Sequence, residues 1–249
     1  MIGSLLLATA LSASPHFAFA FSDASGNRLL ALGSVADPAR LTRATCDGTV
    51  REVAFLAQRG GTDSGRQTSA NFDQVAGALY QVKGAAIAAG ASCLLATAAF
   101  FEARPPVAVA ATRRPCDGRV AAAVAGLSER AVERCLEVGS LPGGRLALVT
   151  YARSGAELLV GFVLVTDAVT AMRSFPATAR SGAPSCWRVD DGCIFEPGAY
   201  HVPFVLAGAG GPTLFALWDG AEGQNLEILE PKAGVLEAGA TAYRYWAPL

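Results

Sequence analysis

Two short stretches hold most of the side chains able to do chemistry. The first is Cys186-Trp187-Arg188-Val189-Asp190-Asp191-Gly192-Cys193, with Glu196 and His201 close behind. Asp190 or Asp191 can orient His201 as a general base for a hydrolase or lyase. Asp191, Glu196 and His201 can also be read as one-histidine, two-carboxylate ligands for a hard or borderline cation. The plainer reading is a tight turn, because Asp-Asp-Gly is turn chemistry. Trp187 and Arg188 on this stapled element are candidate binding residues.

The second stretch is Trp218-Asp219-Gly220-Ala221-Glu222-Gly223-Gln224-Asn225. An indole beside carboxylates and amides offers a flat apolar face with hydrogen-bonding groups, which suits a sugar or a Ca²⁺ ion. Trp218, Asp219 and Glu222 are its candidate binding residues. Asp-Gly also marks a hairpin loop, and that alone explains much of the composition. Glu222 with Glu227 would make a glycosidase pair only at a suitable carboxylate separation.

Other chemistry is narrowed by what the chain lacks. It has no phosphate-binding G-x-x-x-x-G-K-[ST], no G-x-S-x-G, no H-E-x-x-H and no complete EF-hand loop, so no cofactor is expected. No motif is specific enough to name a family. The formal net charge is −1 and charged residues make up 16% of the chain, so nucleic acid has no electrostatic footprint. Rich Ala, Gly and Arg with scarce Lys points to a GC-rich bacterial source.

Positioning these groups falls partly to six cysteines: Cys46, Cys93, Cys116, Cys135, Cys186 and Cys193. Spacing favours the pairs Cys46–Cys93, Cys116–Cys135 and Cys186–Cys193, the last across a short hairpin. No C-x-x-C occurs, which argues against a zinc ribbon or a thioredoxin-like centre. Disulfides require an oxidising compartment, and the N-terminus fits one. Ile2 to Leu11 is an apolar run too short to span a bilayer, and Ala18-Phe19-Ala20 has the spacing of a cleavage site. Residues 1–20 are therefore expected to be a signal peptide, with Ser12-Ala13-Ser14 as an earlier alternative site. Cleavage after Ala20 removes His16 and leaves His201 as the sole histidine. No later segment reads as a transmembrane anchor.

The remaining 21–249 read as one domain or two closely packed units. A duplicated unit over 46–101 and 116–167 is suggested by the matching triplets Cys46-Asp47-Gly48 and Cys116-Asp117-Gly118. Strands are expected at Ala78–Val82, Cys93–Phe101, Leu146–Tyr151, Leu158–Thr166, Pro203–Leu206, Thr213–Trp218, Leu226–Leu229 and Ala242–Trp246. Arg119–Ala125 reads as a helix, and Ser128–Leu136 fits either period. Arg59–Asn71 is the best candidate for a mobile surface loop. Glu129, Glu133 and Glu137 are assigned to a solvated face.

Together these features describe a mainly β to α+β protein: antiparallel sheet, sandwich or barrel-like, with a few short helices and disulfide staples. The expected function is a non-catalytic binding or interaction protein, periplasmic or secreted. Its partner would be a small molecule, a glycan or another protein.

Overall fold

Alternation in Phe17-Ala18-Phe19-Ala20-Phe21 sets the architecture of the first half. Successive strand residues face opposite ways, so the alanines point one way and the phenylalanines the other. In the computed structural model, which describes residues 16–62, 65–179, 185–189, 191–208 and 211–246, this segment is β1 (Phe17–Ser22). It joins β2 (Arg28–Ala31), β3 (Arg43–Thr45), β4 (Arg51–Arg59), β5 (Gly77–Val82) and β6 (Ser92–Ala96). They form a closed barrel in the order β1-β2-β5-β4-β3-β6. Six strands enclose little space, and the interior is filled by small and medium side chains including Ala20, Ala31, Ala44, Ala78, Val53 and Leu95. Cys46–Cys93 ties the end of β3 to β6.

The Ala20 cleavage boundary therefore falls inside a strand. β1 pairs with β6 from Phe17↔Ala96 to Phe21↔Ser92, and the His16 carbonyl accepts the Thr97 N–H at 3.0 Å. The earlier boundary at Ser12-Ala13-Ser14 leaves β1 whole, although it lies outside the described residues.

β6 is shorter than expected. Thr97 stops it, its side chain accepting the Phe100 N–H at 3.2 Å as the N-cap of helix α1 (Ala98–Ala103). The chain then enters a ten-stranded sheet: β7 (Pro106–Ala108), β8 (Ala110–Pro115), β9 (Val132–Leu141), β10 (Gly144–Ser154), β11 (Glu157–Thr166), β12 (Thr170–Thr178), β13 (Tyr200–Leu206), β14 (Thr213–Asp219), β15 (Gly223–Lys232) and β16 (Val235–Tyr245). The order is β7-β13-β14-β15-β16-β12-β11-β10-β9-β8. Its two end strands are consecutive in the chain and separated only by Val109. The sheet thus curls until its ends meet, and Val109 N–H bonds to the Pro203 carbonyl at the seam. Every pairing is antiparallel except β12 with β16 at Met172↔Val235.

Ser128–Leu136 resolves in favour of strand, since its second half opens β9. Helix α2 (Gly118–Ala125), capped by Asp117, covers the outer face of β10 and β11 through Val120 and Val124. Cys116–Cys135 pins it there. Glu137 is not on a solvated face. Its side chain is 0% exposed, bound by Arg114 at 2.9 Å, and accepts the Asp117 N–H. The two stretches 46–101 and 116–167 also differ in topology. In the first, β6 pairs with β1 and β3 rather than with β5; in the second, β9-β10-β11 is a simple meander.

The two sheets share a packing layer. Phe19, Leu94 and Ala96 on the barrel's outer face meet Phe204, Phe215, Leu217 and Ile228 of the larger sheet. Phe204 and Phe215 stack at 4.6 Å. Each fully buried phenylalanine contributes about 1.5–3 kcal/mol relative to exposure. Arg244 closes the same junction. Its guanidinium donates to the carbonyls of Gln67 and Gly90, both at 2.6 Å, and lies 4.6 Å over the Phe21 ring. Burial pushes its pKa down to about 10. Gln67 also accepts the Tyr245 N–H at 2.9 Å, so this part of the expected mobile loop is fastened to β16. Among the described residues, no helix is long and apolar enough to cross a membrane.

Candidate functional site

The loop between Cys186 and Cys193 is organised by one carboxylate rather than by strand pairing. Asp191 Oδ1 accepts the N–H groups of Cys186 and Cys193, at 2.9 and 2.8 Å. Oδ2 accepts those of Trp187 and Arg188, at 2.7 and 2.8 Å. Burial works to raise the Asp191 pKa, but these four amides together hold it below the ordinary aspartate value. Cys186–Cys193 closes the loop, and Gly192 and Cys193 both adopt positive φ. The expected hairpin is in fact a backbone nest around a carboxylate.

This loop packs against the larger sheet. Trp187 Nε1 donates to the Phe175 carbonyl at 3.1 Å, and its ring meets Phe195 edge-on at 5.5 Å. Trp218 meets Phe175 edge-on at 5.1 Å and also contacts Phe195 and Tyr200. The aromatic layer closes the core beneath and leaves a cleft of about 610 Å³ above it. One wall is Trp187, Arg188 and Val189; the other is Trp218, Glu222, Asn225 and Tyr243.

Strand register builds the second wall. Trp218 stands opposite Asn225, and Asn225 stands opposite Tyr243. Directly opposed residues share a face, so the three side chains form one row across β14, β15 and β16. Gly223 gives the row its shape. A Cβ there would come within 2.5 Å of the Tyr243 hydroxyl, so only glycine lets that ring lie along the sheet.

The next row inward is Ala216, Glu227 and Thr241. Glu227 receives Arg173 at 3.1 Å on one oxygen and the Tyr200 hydroxyl at 3.3 Å on the other. Burial and the neighbouring Glu227 charge keep the Tyr200 pKa well above its ordinary value, so it remains a donor. Both Glu227 oxygens are thus engaged, whereas the Glu222 carboxylate on the hairpin has no ion pair or hydrogen bond among the described residues. The two carboxylates are not an equivalent pair.

Four of the five expected binding residues, Trp187, Arg188, Trp218 and Glu222, therefore line one cleft. Asp219 does not. It faces the other side of the hairpin, where it accepts Gln224 Nε2 at 2.6 Å. Gln224 in turn accepts the Ser92 hydroxyl, so Asp219 belongs to the junction between the two sheets.

Of the described catalytic candidates, Asp191 and His201 are not brought together. Asp191 has both oxygens committed to backbone amides, Asp190 lies outside the described residues, and His201 lines a different cavity. That cavity, about 270 Å³, opens at the sheet seam beside Thr112 and Arg113. The buried Thr112 hydroxyl has no hydrogen-bond partner among the described residues. Asp191, Glu196 and His201 form no metal site, because no three His, Cys, Asp or Glu side chains converge among the described residues. Tyr243 reads in the sequence only as part of the last strand; its register against Asn225 reveals its place in the cleft. No protein family, no curated protein and no solved structure matches the chain.

Proposed function

We propose that this is an exported, non-catalytic binding protein whose ligand seat is the cleft between the Cys186–Cys193 loop and strands β14–β16. The observation that carries it is convergence. Two segments far apart in sequence, each marked by its aromatic and charged side chains, form the opposite walls of one cleft. The Arg188 guanidinium and the Glu222 carboxylate line it, and neither has a hydrogen bond or ion pair among the described residues. Trp187 and Trp218 are held by ring contacts and a backbone hydrogen bond, which lowers the entropy lost when a ligand settles on them. Three disulfides suit an oxidising compartment, and with the apolar leader they support a periplasmic or extracellular bacterial protein.

A thermal-shift screen of saccharides, peptides and divalent ions tests the proposal, since a ligand that binds only the native state raises its stability. Compounds that stabilise the wild type should lose that effect in the Arg188→Ala/Glu222→Ala variant. His201→Ala should retain it. A hit abolished by His201→Ala but indifferent to Arg188 and Glu222 would move the site to the seam cavity.

A further inference from the structure

We infer that the ligand is a neutral saccharide chain lying across β14, β15 and β16, an inference that rests on the cleft being the ligand seat. The row Trp218–Asn225–Tyr243 carries it. Two strand spacings separate the outer members, so Trp218 and Tyr243 lie about 9.5 Å apart along the row. That spacing places two aromatic planes under pyranose rings that are not adjacent in an extended chain. The apolar C–H face of a sugar packs on such planes, while its hydroxyls need donors and acceptors at the ring edges.

The row supplies both. Asn225, between the aromatics, offers an amide N–H₂ and a carbonyl oxygen, and no hydrogen bond within the described residues uses either. Tyr243 is 48% exposed, and its ring is laid along the sheet by the missing side chain of Gly223. Arg188 and Glu222, one of each charge, face the same space. A strongly anionic ligand would meet Glu222 and a cationic one would meet Arg188, whereas a polyhydroxylated neutral ligand can use both as hydrogen-bonding groups.

The test is a titration of the full chain with neutral hexasaccharides, read by calorimetry and tryptophan fluorescence. The panel comprises β-1,4-glucan, β-1,4-linked N-acetylglucosamine, β-1,3-glucan and α-1,4-glucan, each beside its disaccharide. At least one hexasaccharide should bind saturably, and its disaccharide, too short to reach both rings, should bind at least about tenfold more weakly. Tyr243→Ala should weaken the hexasaccharide by about tenfold, the worth of roughly one aromatic contact. Asn225→Ala should weaken it further than a change outside the cleft. Both positions are exposed, so an unchanged melting temperature verifies the fold of each variant.

If no hexasaccharide binds, or if binding ignores Tyr243 and Asn225, the saccharide inference falls. Should another class of compound then bind through Arg188 and Glu222, the cleft remains the ligand seat. If no compound of any class depends on those two residues, both proposals fall.

Discussion

Asp191 Oδ2 accepts the Trp187 N–H at 2.7 Å, and through this bond a half-buried carboxylate fixes one wall of the cleft. Asp191→Ala would leave four loop amides without an acceptor. The expected cost is local, about 1–3 kcal/mol, because the loop lies at the rim and its amides can regain water. The larger effect should be on Trp187. Its emission should shift to the red, and affinity for any cleft ligand should fall while the global melting temperature changes little. Asp191→Asn should fare almost as badly, since an amide replaces one acceptor oxygen with a donor.

The same carboxylate gives a pH dependence with a definite sign. The folded-state pKa of Asp191 is lowered, so its contribution is present in full above the unfolded value near about 4 and is lost as pH falls through the folded value. Tryptophan emission followed from pH 7 to pH 2 should show a loop transition beginning below about pH 4. The Asp191→Ala variant should lack that step.

Disulfide removal should follow loop length. The bridges span 47, 19 and 7 residues, in the order Cys46–Cys93, Cys116–Cys135 and Cys186–Cys193. Chain-entropy loss in the unfolded state then gives contributions of about 4, 3 and 2.5 kcal/mol. Denaturation midpoints of the three paired Cys→Ala variants should fall in that order. The Cys186–Cys193 variant alone should lose cleft binding.

Arg244 makes a third kind of prediction. Its charge is buried at the junction and forms no ion pair among the described residues, only bonds to Gln67, Gly90 and Ser92. Arg244→Met keeps the side-chain length but strips those acceptors of their donor, and should cost about 3 kcal/mol. Urea unfolding measures it directly. A loss below about 0.5 kcal/mol would mean that water replaces the guanidinium without penalty.

Processing of the N-terminus offers a fourth. A cut after Ala20 would delete Phe17 to Ala20 and with them the partners of Cys93 to Ala96 on β6. That would open the barrel and uncover the layer that Phe19 shares with Phe215. On the proposal that the chain is exported and processed, its intact mass should therefore place the new terminus after Ser14. A terminus at Phe21 in a stably folded protein would contradict the barrel's dependence on β1.

What the sequence revealed follows from which signals are local. Strands β10, β11, β13, β14 and β15, the helix over 119–125 and the Cys186–Cys193 pairing all depend on residues close to one another in the chain, whereas β12 carried no such signal. β1 was obscured because Phe17 to Phe21 has strand alternation but sits beside an apolar leader and also satisfies a cleavage pattern. Glu137 looked solvated because its burial depends on Arg114 from another strand and on the Asp117 amide. The site divided the same way. Trp187, Arg188, Trp218 and Glu222 stood out by residue type, but Tyr243 enters the cleft only through the register of β15 with β16. Asp219 does not join the cleft because strand alternation turns it away from Trp218, and its partner Gln224 connects to the other sheet.

Hydrogen–deuterium exchange, with and without the strongest stabilising compound, tests the ligand seat most directly. Bound ligand should slow exchange in the Cys186–Cys193 loop and in the 219–223 hairpin, leaving the barrel strands unchanged. Protection confined to residues 109–113 and 197–203, around His201, would contradict the account and place binding at the sheet seam.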